Sequence, residues 1–147
     1  VADEKTQNFA NHARIVPAYH GVLFALIGLG LIGSCVNLYL SFGDHQRIYS
    51  ASLIVVLEVV ALFLFGFCRI FALKAQDRAI RAEENLRHYV LTGKLLDPRL
   101  SVLQIVALRF ASDAEFAALA ARAAAENLPP VEIKKAIQNW RGDYYRV

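Results

Sequence analysis

The sequence predicts an all-α membrane protein: a two-helix transmembrane hairpin whose second helix extends into a cytoplasmic stalk, followed by a small cytoplasmic helical domain. Three observations carry this. The 147 residues are 56% hydrophobic and only 20% charged, which is too apolar for an average soluble domain. The excess lies in two runs, residues 20–42 (HGVLFALIGLGLIGSCVNLYLSF) and 51–73 (ASLIVVLEVVALFLFGFCRIFAL), each long enough for the roughly 20 residues that cross a bilayer as a helix. Helical character then continues without proline from Lys74 to Gly93.

The N-terminal arm, residues 1–19, is polar and carries acids. It lacks the basic start and small-residue cleavage site of a signal peptide, so the first span is expected to stay. The connection GDHQRIYS, residues 43–50, is too short for anything but an antiparallel hairpin. A chain of this length cannot cover two such helices on all sides as a soluble core. Lys5 and Arg14 precede the first span; Arg69, Lys74, Arg78, Arg81 and Arg87 lie at or beyond the end of the second, and the loop has only Arg47. Both termini are therefore expected on the cytoplasmic side. The net charge of +3 is accounted for by this membrane flank, which makes anionic lipid the expected partner and not nucleic acid. Cys35 and Cys68, the two cysteines, differ in depth by roughly 15 Å when counted from the loop, beyond disulfide reach within one hairpin. They read as small apolar fillers.

The stalk, residues 74–92, extends the second helix, which runs from about 51 to 91, about 60 Å in length. Asp77 with Arg81, and Glu83 with Arg87, have the spacing of favourable pairs one turn apart. The remaining segment, residues 93–147, reads as three short helices. Asp97 as N-cap and Pro98 in the first turn open the first, with Leu100, Leu103, Val106, Ala107 and Phe110 along one buried face. The capping box from Ser112 to Glu115 opens the second, which sets an alanine-rich face beside Phe116 and Leu119 and stops near Asn127. The third follows Pro129 and Pro130 and places Ile133, Ile137 and Trp140 on one stripe. About 50 residues make a marginal core, so this cap is expected to pack on the stalk or on a neighbouring subunit.

Within the second span stands Glu58, a lone carboxyl in an apolar run. Alternating steps of three and four residues connect it to Ala61, Phe65, Cys68, Ala72, Ala75, Ala79, Ala82, Leu86 and Tyr89, a heptad seam. Small residues on that seam let another helix approach closely. On the first span Gly30, Ser34, Asn37 and Ser41 share a face, and Ser34 and Asn37 fall within about one turn of Glu58 in depth. A carboxylate there is costly to ionise, so the expectation is a neutral carboxyl hydrogen-bonded to Asn37 or Ser34, or paired across subunits. A proton or ion site is the functional alternative.

Catalytic chemistry has no support in the sequence: His12, His20, His45 and His88 are scattered, with no metal-ligand spacing, nucleophile elbow or phosphate loop. His20 beside Tyr19 reads as an interfacial anchor in preference to a haem or pigment ligand. No cofactor or metal is expected. Trp140, Arg141, Tyr144 and Tyr145 serve as well for packing as for recognition.

KTQNFANHAR with Pro17 and His20, RIFALKAQDRAIRAEENLR, QIVALRFASDAEF and IKKAIQNWRGDYYRV together resemble a family of small bacterial two-span membrane proteins of unknown function. The resemblance covers nearly the whole chain. It implies a bacterial inner-membrane location and a hairpin with a cytoplasmic helical tail, and it marks Asn8, Asn11, His12, Arg14, Gln76, Asp77 and Arg78 as motif positions. It implies no catalytic or ligand-binding residue. Since these positions flank the two spans at a comparable level, a polar clasp of Asn11 or Arg14 with Gln76 or Asp77 would fix the arm to the stalk base. The same cluster would also suit a lipid headgroup or a partner loop.

The function expected from all this is non-enzymatic: a structural or accessory subunit that assembles through helix packing, as a homo-oligomer or within a larger respiratory, photosynthetic or transport complex. The alternative is a small oligomeric transporter or channel component using Glu58.

Overall fold

The computed structural model describes residues 7–144 and is all-helical, with one isolated antiparallel bridge between Ala111 and Trp140 and no strand among those residues. Helix α1 spans Ala18–Leu40, opening with a wide π turn over Ala18–Leu23 and continuing as α-helix over Phe24–Leu40. Pro17 stands at its N-cap, where a missing N–H costs nothing. Helix α2 is His45–Thr92, α3 Val102–Leu108, α4 Asp113–Glu126 and α5 Pro130–Ala136. Two compact units result: residues 14–71, and the flanking segments 7–13 with 72–144.

In the first unit α1 and α2 are both long and apolar enough to cross a membrane, and their most hydrophobic windows are only 11% and 6% buried. A core helix of a soluble protein would show the reverse. The turn between them is tighter than the apolar pattern suggests. Gly43 takes a positive φ of 93°, and the Asp44 carboxylate accepts from the amides of Gln46 and Arg47 at 3.0 and 3.2 Å. This cap starts α2 at His45, so most of the polar stretch assigned to the loop is already helical. Cys35 and Cys68 are free and exposed.

The second unit has its core in α3, α4 and α5, where Phe110, Phe116, Leu108 and Ile133 are the largest fully buried side chains. The stalk part of α2 contributes Ile80 and Glu84 to the buried set, and α2 ends on Gly93, whose φ of 75° suits glycine and whose amide bonds to the Tyr89 carbonyl. The predicted capping box of α4 forms, with Ser112 and Glu115 capping each other's backbone. Asn127 ends that helix in the left-handed conformation at φ 49°.

Several details depart from the pattern-based expectation. The N-cap of α3 is Ser101, boxed with Gln104, and not Asp97. Asp97 is occupied by the amide and guanidinium of Arg99, whose hydrogen bonds and charge hold its carboxyl down at about 2. Leu103 is 60% exposed while Gln104 and Ile105 turn inward. Trp140 is not on a helical stripe: α5 ends at Ala136, Ile137 is extended, and Trp140 bridges to Ala111 instead. On α4, Ala120, Ala123 and Ala124 are buried with Phe116 and Leu119. Neither expected pair on the stalk forms, since Arg87 is held by Glu84 and Asp113 and Asp77 makes no ion pair among the described residues.

Candidate interaction site

Within the hairpin, Glu58 and Gly30 meet. A Cβ added at Gly30 would lie 2.7 Å from one Glu58 carboxyl oxygen and 3.0 Å from the other, so the absent side chain of Gly30 is what gives the carboxyl its seat. Glu58 is half-buried. Ser34 is buried, but its hydroxyl donates to the Leu31 carbonyl at 2.9 Å, one turn back on its own helix. Asn37 is exposed. Neither supplies the hydrogen bond expected for Glu58, because on α1 the hydroxyls satisfy themselves locally: Ser41 likewise donates to the Asn37 carbonyl at 2.8 Å. Steric complementarity with Gly30 carries the contact.

At the other end of the hairpin the Tyr19 ring stacks on Phe65 with centroids 4.3 Å apart and 13° between planes, and its hydroxyl donates to the Phe65 carbonyl. Phe24 adds a tilted contact at 5.8 Å. The sequence pattern points to His20 as the interfacial anchor and gives no role to Tyr19. The ring of His20 lies edge-on to Tyr19 at 5.1 Å, and its Nδ1 sits 3.1 Å from both the Val16 amide and carbonyl.

The N-terminal arm lands on the cap. Asn8 and Asn11 build a local turn: Asn8 Oδ1 accepts from the Ala10 and Asn11 amides, and Asn11 Oδ1 from the Asn8 amide. That turn presents His12, which packs on Phe110 and Trp140 at 5.7 and 5.9 Å and whose Nε2 is 3.0 Å from Lys134 Nζ. Since Nδ1 faces the Phe9 carbonyl at 2.8 Å, the ring donates there and accepts from the lysine. Gln7 pairs twice with Asp143: its side-chain amide donates to the Asp143 carbonyl at 3.0 Å and its carbonyl accepts from the Asp143 amide at 2.8 Å. Asp143 also faces the buried Arg109 at 3.1 Å. Of the predicted motif positions, Arg78 is exposed and Asp77 half-covered. No spacing rule in the sequence would have paired Gln7 or His12 with the cap.

The stalk joins the cap through charge. Arg87 donates to Asp113 at 2.7 Å, to Glu84 at 2.9 Å and to the Ala111 carbonyl at 2.7 Å, with its guanidinium 4.3 Å above the Phe116 ring. Glu115 ties the start of α4 to the exit of α5. Partial burial works against its charged form, but the amides of Gln138, Asn139 and Ser112 outweigh this and lower its acidity range.

The heptad seam divides in two. Ala61 and Phe65 are half-buried, as Glu58 is, and Ala72 is too; Cys68, Ala75, Ala79, Ala82, Leu86 and Tyr89 are exposed. Among the described residues no three His, Cys, Asp or Glu side chains converge to hold a metal ion.

The protein is thus an all-α chain with two helices long and apolar enough to span a membrane and a helical cap joined to the second. It belongs to the family of unknown function DUF6526, which matches residues 4–147. No curated protein and no solved structure matches it.

Proposed function

We propose that the chain is a non-enzymatic integral-membrane subunit of the bacterial inner membrane, with both termini cytoplasmic, that assembles through helix packing with itself or within a larger membrane complex. The observation that carries this is where the apolar surface lies. Leu26, Leu29, Ile32, Val56, Leu57 and Phe63 are all more than half exposed, which in water would drive aggregation and in lipid is the stable arrangement. The flanks of the hairpin support the topology. Residues 7–13 and 72–144 share one compact unit, which agrees with a chain that crosses twice and brings both flanks to one side. The basic residues after the second span favour the cytoplasm for that side and anionic lipid as its neighbour. Glu58 serves as a packing group between spans, seated on Gly30, and the arm serves as a clasp on the cap.

Extraction into lipid nanodiscs followed by mass measurement tests the reading. A defined homo-oligomer, or co-purification with larger membrane subunits, supports it; a chain that leaves the membrane fraction in carbonate, or stays monomeric and alone, refutes it. A reporter fused after residue 147 should behave as cytoplasmic and one inserted at Asp44 should not.

A further inference from the structure

We propose that the stalk, residues 72–92, forms a parallel, in-register two-stranded coiled coil with a second copy of this chain, aligned by reciprocal Arg78–Glu83 ion pairs. This deepens the assembly reading above and rests on it, because two copies inserted in one membrane with one orientation must present their stalks in parallel.

With Ala72, Ala79 and Leu86 at heptad position a, and Ala75, Ala82 and Tyr89 at d, the buried residues of the stalk are Ile80 at b and Glu84 at f, and Glu84 faces Arg141 beyond α5 at 3.8 Å. Arg87 at b and His88 at c are half-covered on that same side, His88 through its edge contact with Phe116 at 5.9 Å. The cap therefore takes one side of the helix and leaves the a/d side open. Leu86 is 64% exposed, Tyr89 54% and Val90, at the flanking e position, 74%. Large apolar side chains on one stripe of a helix that is packed on its other side are an unpartnered interface.

Charge identifies what covers it. In a parallel pair a g residue meets the e residue of the following heptad on the other helix, five positions further along. Arg78 is at g and Glu83 at e. They are opposite in sign and five residues apart, both are exposed, and neither makes an ion pair or hydrogen bond among the described residues. Glu83 is left in this state because Arg87, its natural partner one turn on, is held by Glu84 and Asp113. Two-fold symmetry forms the Arg78–Glu83 contact twice. Alanine at Ala72, Ala75, Ala79 and Ala82 lets the axes approach to the short end of the usual 8–10 Å range and leaves little volume to fill the interior of a three-stranded assembly, which favours two.

The test uses the full chain in native membranes, with Cys35 and Cys68 replaced by serine. Ala79→Cys, on the seam, should cross-link under mild oxidation, and Arg81→Cys, on the opposite side of the helix, should not. Arg78→Glu or Glu83→Arg alone should lower the cross-link yield at Ala79→Cys about tenfold, because two exposed pairs turn from attractive to repulsive, and the double swap should restore it to within about threefold. Equal yields at the two positions, or a double swap no better than either single change, overturn the proposal. A membrane-inserted chain bound to other proteins with no cross-link at Ala79→Cys also overturns it and leaves the assembly reading standing. A chain that does not sediment with membranes overturns the assembly reading itself.

Discussion

Arg87→Met isolates the charge that joins stalk to cap. The methionine keeps an apolar stem over Phe116 and removes the guanidinium. Its three acceptors respond differently. Asp113, whose side chain is 67% exposed, recovers water, so that loss is discounted to under about 1 kcal/mol. The Ala111 carbonyl loses one donor. Glu84 is the expensive one: its side chain is 7% exposed, and its remaining cation, Arg141, stands at 3.8 Å. Leaving a buried carboxylate short of its partner costs on the order of 3–5 kcal/mol, and the residual Arg141 contact places the expectation near the bottom of that range, about 3 kcal/mol. Trp140 is the only tryptophan and packs on Phe110 at 5.1 Å, so its fluorescence reports the cap alone while the spans remain in detergent. With a urea slope of about 1 kcal/mol per molar for a unit this small, the unfolding midpoint should fall by roughly 3 M. Glu84→Gln combined with Arg87→Met should regain much of the loss, since the stranded charge is gone. A midpoint shift below about 0.5 M, or a double variant as unstable as the single, would refute the argument that an unpaired Glu84 is the cost.

Two further outcomes are expected. Glu115 has a folded value lowered from its ordinary 4.5, so its contribution is complete above that value and is lost as pH falls through the lowered one; the Trp140 unfolding midpoint should drop below pH 4.5 in the native chain and less steeply in Glu115→Gln, and identical pH profiles would contradict this. Gly30→Leu should separate the spans and destabilise the hairpin by on the order of 1–3 kcal/mol in a detergent thermal melt, with Glu58→Ala in the same chain restoring most of it; an unchanged melt, or no recovery, would show that the two residues are not in register.

What could be read from the sequence was local. The two spans follow from apolar run length, the start of α4 from Ser112 and Glu115, and its end from Asn127, all within a few residues of the feature they decide. The failures were long-range. At residues 133–140 the stripe fits a helix, yet Glu115 draws the amides of Gln138 and Asn139 out of helical bonding from 23 and 24 residues away. Asp97 and Ser101 were equally good caps by chemistry, and Arg99 decided between them by engaging Asp97. The seat of Glu58 was half legible: Gly30 was placed on the facing stripe, but the hydrogen bond expected from Ser34 or Asn37 does not form, because a serine inside a helix has its own carbonyls close by. The landing of the arm on the cap had no signal at all, since nothing periodic connects Gln7 to Asp143.

That last pairing spans 136 residues of chain, and closing so long a loop from a free coil would cost about 4 kcal/mol in chain entropy. Inserted spans change the accounting. Once Tyr19 has stacked on Phe65, the entry of the first helix and the exit of the second stand at one level, and the path from Gln7 to the cap shortens to the arm and the stalk. With α1 and α2 already paired, the free chain left to order between Gln7 and Asp143 is far shorter than the 136 residues that separate them. A chain cut before Asp143 would lose both Gln7 contacts and carry Phe110 and Trp140 less fully covered by His12, with the arm loose.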